Sequence, residues 1–177
     1  IGTKKSVPFL ADMLTQKAGS KIQPADVARY ALQRIDSPAA ATALRDALDK
    51  TSGSVRTGII NSIGQRADIE AVAKLTEILK SRDSQAVEAA VSALGKIGGK
   101  RAAESLRKID EKIPPGLRSV WADAYLNCAE GFSKQGRKKA ANRIYERLWS
   151  KEETVVVRGA ALRGMLKTRP GKAAGLI

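Results

Sequence analysis

Along this chain an apolar-x-x-Leu-x-x-x-Leu pattern returns about every thirty residues. Val7, Leu10 and Leu14 carry it first, then Ala41, Leu44 and Leu48, then Val72, Leu75 and Leu79. Ala141, Ile144 and Leu148 carry it again, and Ala173 and Leu176 begin a further copy. Self-similarity at such a period is the mark of stacked repeat units. A second pattern alternates with the first, with apolar or small residues spaced by four. Val27, Ala31 and Ile35 fit it, as do Val55, Ile59 and Ile63, and Ala86, Ala90 and Leu94. Val120, Ala124 and Cys128 follow, then Val157, Ala161 and Met165. Both spacings put apolar side chains on one face of a helix. Nowhere do Val and Ile alternate with polar residues over a strand's length, so no sheet is expected.

The patterns predict two helices per unit. First helices are expected over 6–14, 38–48, 69–80, 100–109 and 137–149. Ser37 before Pro38, and Asp68 before Ile69, read as start signals. Ile113-Pro114-Pro115-Gly116 lengthens one turn and precedes a long helix ending near Gln135. Gly64 and Gly95 sit where a helix ends or a neighbouring backbone comes close. The expected units are about 1–36, 37–67, 68–99, 100–136 and 137–170, with 171–177 opening another. They form one solenoid over 1–177, expected to be a piece of a longer protein. Expected core residues are Leu10, Leu44, Ile59, Leu75, Leu94, Leu106, Ile144 and Leu148.

The segments SVRTGIINSIG (54–64), AVEAAVSALGKIG (86–98) and VVRGAALRGML (156–166) resemble the second helix of short bacterial HEAT-like repeats, of the kind found in phycobilisome lyases. The resemblance covers essentially the whole chain. It implies an all-α, right-handed α-α superhelix of about five helical pairs. Residues 122–149 also resemble a tetratricopeptide motif. The resemblance implies a non-catalytic scaffold that binds a protein partner, or another domain of the parent chain, through its concave second-helix surface. Function does not follow from fold alone, and related repeats occur in lyases and DNA glycosylases; the absence of His and the scarcity of aromatics place an enzyme last among the readings.

Composition sharpens this picture in two ways. His is absent and Cys occurs once, which removes the commonest general base and any Cys/His metal cluster. No catalytic residue, cofactor or metal is therefore expected. Cys128 lies in an apolar helical run and reads as a buried thiol. Trp121, Trp149, Tyr30, Tyr125 and Tyr145 read as packing residues rather than platforms for bases. No segment is apolar and long enough to span a membrane.

The second change is charge. Lys and Arg number 32 against 18 Asp and Glu, a formal net charge of +14. That excess attracts anions, so a basic nucleic-acid-binding repeat domain is the alternative reading. Lys4, Lys5, Lys100, Arg101, Arg137, Lys138, Lys139 and Lys172 fall at one point of the repeat, just before a first helix. Arg29, Arg56, Arg158 and Arg163 fall on second helices. Both groups are candidates for binding an anion or a partner. The competing explanation is that a cation just after a helix complements the negative end of its dipole, worth about 0.3–1 kcal/mol.

Overall fold

The computed structural model describes residues 3–16, 24–150 and 153–169. Ten α-helices run in five consecutive pairs, and no strand occurs among the described residues. They are α1 (Val7–Met13), α2 (Pro24–Arg34), α3 (Pro38–Ala47), α4 (Gly53–Gln65) and α5 (Val72–Ile78). Then come α6 (Ser84–Ile97), α7 (Gly99–Ile109), α8 (Arg118–Lys134), α9 (Lys138–Leu148) and α10 (Val155–Thr168). The chain divides within α6 into two compact units, residues 1–93 and 94–177.

In the first unit α1 packs on α2 and α3, while α4 packs on α2 and α3. In the second, α8 packs on α7, α9 and α10, and α9 packs on α10. Within each unit these consecutive helices pack on one another, consistent with stacked helical repeats. All eight expected core residues are buried. So are the second-helix triads Ala86, Ala90, Leu94 and Val157, Ala161, Met165.

Helix α2 departs from the expected face. Val27 is 51% exposed, while Ala25, Ala28, Leu32 and Ile35 are buried. The buried stripe is displaced by one residue, from Val27 and Ala31 to Ala28 and Leu32. Val55 and Val120 are only half-buried, each in the first turn of its helix. Ser37 does precede α3, but its side chain makes no capping hydrogen bond. Its carbonyl instead accepts from Arg66, which also donates to the carbonyls of Leu32, Gln33 and Ile35. One guanidinium therefore serves the orphan carbonyls at the end of α2. Asp68 behaves as expected, its carboxylate accepting from the Glu70 amide.

Two second helices end in the same way. Asp68 N–H reaches Ile63 O and Ala67 N–H reaches Gly64 O after α4. Arg137 N–H reaches Phe132 O and Gly136 N–H reaches Ser133 O after α8. Both are Schellman closures with a left-handed residue, Ala67 at φ 51° and Gly136 at φ 73°. The Pro115 region forms a single 3-10 turn, Pro115–Leu117, that leads directly into α8. Pairing thus continues through the lengthened turn.

Gly95 lies inside α6 rather than at its end, and it marks a close helix approach. A Cβ built on it would stand 2.5 Å from Ala124 Cα and 2.7 Å from Ala124 Cβ. Trp121 is fully buried nearby in sequence, its indole N–H donating to Leu106 O at 2.8 Å. Cys128 is buried as expected, and burial pushes its thiol up to about 12.

Candidate functional site

The second helices present their solvent faces as two separate grooves, one in each unit. In the first unit an open groove of about 510 Å³ is lined from α2, α4 and α6. Its walls are mostly hydroxyl and amide side chains, namely Ser54, Thr57, Asn61, Gln85 and Ser92. Asp26, Arg29 and Glu88 supply its charges. Arg29 is held in place there: it donates to Ser62 Oγ at 3.0 Å, and Ser62 in turn donates to Gln33 Oε1 at 2.9 Å. Gly58 makes room for this guanidinium, since a Cβ at that position would meet Arg29 Nε at 2.8 Å. Val27 and Tyr30 stand exposed on α2, and the Tyr30 ring carries Arg34 at 5.3 Å. The expectation that Tyr30 packs in the core is therefore corrected: it is 53% exposed. It lies on the side of α2 that the one-residue displacement turns outward.

In the second unit a smaller pocket of about 240 Å³ opens between α8 and α10. Lys134, Arg163 and Lys167 stand around it with Glu130, Ser133 and Tyr145. The Tyr145 ring lies against Gly164, where any Cβ would collide with the ring's Cζ and Cε atoms.

The sequence-derived cations separate into two kinds. Lys4, Lys5, Lys100, Arg101, Arg137, Lys138, Lys139 and Arg163 are exposed. Arg29, Arg56 and Arg158 are half-buried, and each has a buried Nε without a hydrogen-bond partner. Arg158 lies 4.9 Å over the Trp149 ring, and Arg137 lies 4.5 Å over Phe132. Packing thus occupies most of the second-helix arginines, and only Arg163 among them projects into solvent. Lys172 and the repeat beginning at Ala173 lie outside the described residues.

Helix boundaries bear on the dipole explanation. Lys100 and Arg101 fall in the first turn of α7, and Lys138 and Lys139 in the first turn of α9. A cation at a helix N-terminus opposes the dipole instead of complementing it. The dipole does account for Lys96, Lys134 and Lys167, each in the last turn of a second helix. The charge is also unevenly shared. Residues 94–177 hold 19 Lys and Arg against 8 Asp and Glu, which places +11 of the +14 in the second unit.

Part of that charge is neutralised by a cluster that sequence reasoning missed. The Asp110 carboxylate accepts from Arg118 Nη1 at 2.8 Å and from Arg147 Nε at 2.6 Å. Glu153, its side chain 1% exposed, pairs with Arg118 and lies 3.6 Å from Arg147 Nη1. Arg118 also stacks 4.3 Å over Trp121. Burial alone would lower the Arg118 pKa, but hydrogen bonds to Glu153 and Asp110 outweigh it and raise the value. Asp110 lies eight positions from Arg118 and 37 from Arg147, so no local motif announces the cluster. The cluster ties the turn after α7 to α8, α9 and the segment before α10, a structural role.

No group of His, Cys, Asp or Glu among the described residues could hold a metal ion. No helix among them is long and apolar enough to cross a membrane.

Comparison with known proteins agrees with the helix pairing. A search of curated proteins found no match. Residues 48–125 match the family model of HEAT repeats, a span running from the end of α3 into α8. HEAT repeats generally serve as protein-interaction scaffolds and are typically non-catalytic. The all-α pairing and that matched span support a HEAT-like helical-repeat family.

Proposed function

We infer that the chain is a non-catalytic interaction module that docks a protein partner on its second-helix surfaces. The observation that carries this reading is the open groove of the first unit. Its hydroxyl and amide walls can pair with a partner's backbone and side chains, and exposed Val27 and Tyr30 add apolar contact on α2. Mixed surfaces of this kind, with an aromatic anchor and satisfied polar groups, suit protein interfaces. The exposed Val155, Val156 and Leu166 give α10 a comparable apolar share in the second unit.

One test places a photoreactive residue at Asn61 or Glu88, on the groove, and at Lys108 or Lys139, on first helices. The docking reading expects protein adducts from the groove positions and far fewer from the others. Adducts confined to Lys108 and Lys139 would refute it.

The +11 charge of the second unit favours a second reading, nucleic-acid binding by exposed first-helix cations. Its signature is binding to labelled duplex or single strands that falls with salt, at a log-log slope near −0.9 per phosphate neutralised on duplex. Nucleic-acid adducts at Lys139 and none to protein at Asn61 would select this reading over docking.

A further inference from the structure

The pocket between α8 and α10 has features that packing does not require. Tyr145 is 3% exposed, yet its hydroxyl makes no hydrogen bond among the described residues. The oxygen is not among the fully buried polar atoms that lack a partner, so the hydroxyl keeps access to solvent and can donate to a ligand. Burial, then the charge of Glu130, raises the Tyr145 pKa, so the phenol remains a donor at neutral pH. Gly164 lets the ring lie flat on α10, with its Cζ end against that helix and beside the pocket. Lys134, Arg163 and Lys167 rim the same pocket and form no ion pair among the described residues. Ser133 adds another hydroxyl, and Glu130 is the sole acid in the lining. The pocket therefore holds a surplus of donors and two net positive charges, gathered in about 240 Å³.

We propose that this pocket binds a carboxylate side chain of an acidic peptide segment in a protein partner, with the Tyr145 hydroxyl as a neutral donor and Arg163 and Lys167 as its cationic clamp. A carboxylate matches the site because it accepts several hydrogen bonds and carries one charge. The volume suits a single side-chain head rather than a nucleotide or a drug-sized ligand. The inference rests on the protein-docking reading and names one contact within it.

The test uses the isotope-labelled full chain and a short Glu/Ser peptide, followed by amide chemical shifts at near-physiological salt. The Gln/Ser counterpart, inorganic phosphate and a short DNA duplex are titrated in parallel. The Glu/Ser peptide is expected to shift the amides of Ser133, Lys134, Arg163 and Gly164, and the Gln/Ser peptide to leave them in place. Tyr145→Phe keeps the ring on Gly164 and removes only the hydroxyl. It should weaken binding about tenfold, the loss expected for a hydrogen bond to a charged group. Arg163→Gln with Lys167→Gln should abolish binding. Lys138→Gln with Lys139→Gln removes equal charge outside the pocket and should change affinity less than about twofold, since exposed charges act weakly. Unaltered affinity in Tyr145→Phe, or an equal loss in the Lys138 and Lys139 pair, would overturn the proposal. So would tighter binding of phosphate or DNA at the same amides. Groove adducts at Asn61 without pocket shifts would remove the pocket and keep the docking reading. Pocket shifts from phosphate or DNA alone, with no protein adducts at Asn61, would remove both.

Discussion

The contact between Gly95 and Ala124 offers a direct test of how closely α6 and α8 approach. In Gly95→Ala the new Cβ would lie 2.5 Å from Ala124 Cα and 3.0 Å from Ala124 O. Carbon atoms rest about 3.5–4.0 Å apart, so the helices must separate by roughly 1 Å. The obstructing atoms belong to the backbone in the middle of α8, and no rotamer change relieves them. Overpacking of this kind costs about 1–3 kcal/mol. Against it stands the helix propensity of Ala over Gly, about 1 kcal/mol. A backbone clash belongs in the upper part of the overpacking range, so the net expected change is a loss of about 1–2 kcal/mol. Gly131→Ala in α8 is the control, because nothing lies within 4 Å of its Cβ position. It keeps the propensity gain of about 0.5–1 kcal/mol without the clash. Trp121 and Trp149, the protein's two tryptophans, both lie in residues 94–177. Tryptophan emission in a urea titration therefore reads the unit that contains both substitutions. The midpoint should fall for Gly95→Ala and rise for Gly131→Ala. A rise for both would show that the helices are not held at contact distance, and the reasoning would fail.

Ala67→Gly should stabilise the first unit by about 0.5–1 kcal/mol, because Ala67 occupies the left-handed position that Gly136 fills after α8; a urea midpoint by circular dichroism checks it. Glu153→Gln should cost about 1–3 kcal/mol, less than the ~3–5 for a fully buried pair, because Arg118 and Arg147 keep access to water. Adding Arg118→Met should recover part of that loss, and a cycle showing full additivity would dissolve the cluster. Burial pushes the Cys128 thiol from its ordinary 9.0 up to about 12, so the unfolded chain loses its thiol proton first as pH rises. That contribution to stability is complete below about pH 9 and declines towards pH 12, by at most about 1.4 kcal/mol per pH unit. Cys128→Ala should flatten this alkaline slope, and an identical slope in both proteins would contradict the burial.

The repeat was legible because its core is built from local spacing. Ile59 and Ile63, or Ala90 and Leu94, meet their neighbours through one face of one helix, and such a face is written in consecutive residues. Helix α2 shows where this reading fails. Val27 is more apolar than Ala28, yet the buried face of α2 runs through Ala25, Ala28 and Leu32 and leaves Val27 in solvent. The Asp110, Arg118, Arg147 and Glu153 cluster was illegible for a different reason. Its members fall on two helices and two turns, each looking like an ordinary surface charge in its own segment. Tyr145 and Gly164 belong between these cases. A glycine inside a helical apolar run costs about 1 kcal/mol, which is a signal of close approach, but only the packing of α9 on α10 says that an aromatic ring uses the space.

These cases bear on how the net charge is to be interpreted. A value of +14 suggests a field acting over the whole surface, but the cations have different duties. Arg66 serves the end of α2, Arg45 pairs with Asp68, and Arg118 and Arg147 are committed to buried acids. Arg29 and Arg158 are fixed by Ser62 and the Trp149 ring. The cations that remain in solvent are spread over many elements, and two groups of them stand in the first turns of α7 and α9 and around the Tyr145 pocket. The first-turn group opposes its own helix dipoles, at about 0.3–1 kcal/mol for each cation, and lies on open surface where salt screens it. The pocket group adds the Tyr145 hydroxyl, a neutral donor that ionic screening affects little. Steering by the first and recognition by the second are separable in experiment: raised salt should slow association through the exposed turns, and Tyr145→Phe should speed dissociation from the pocket.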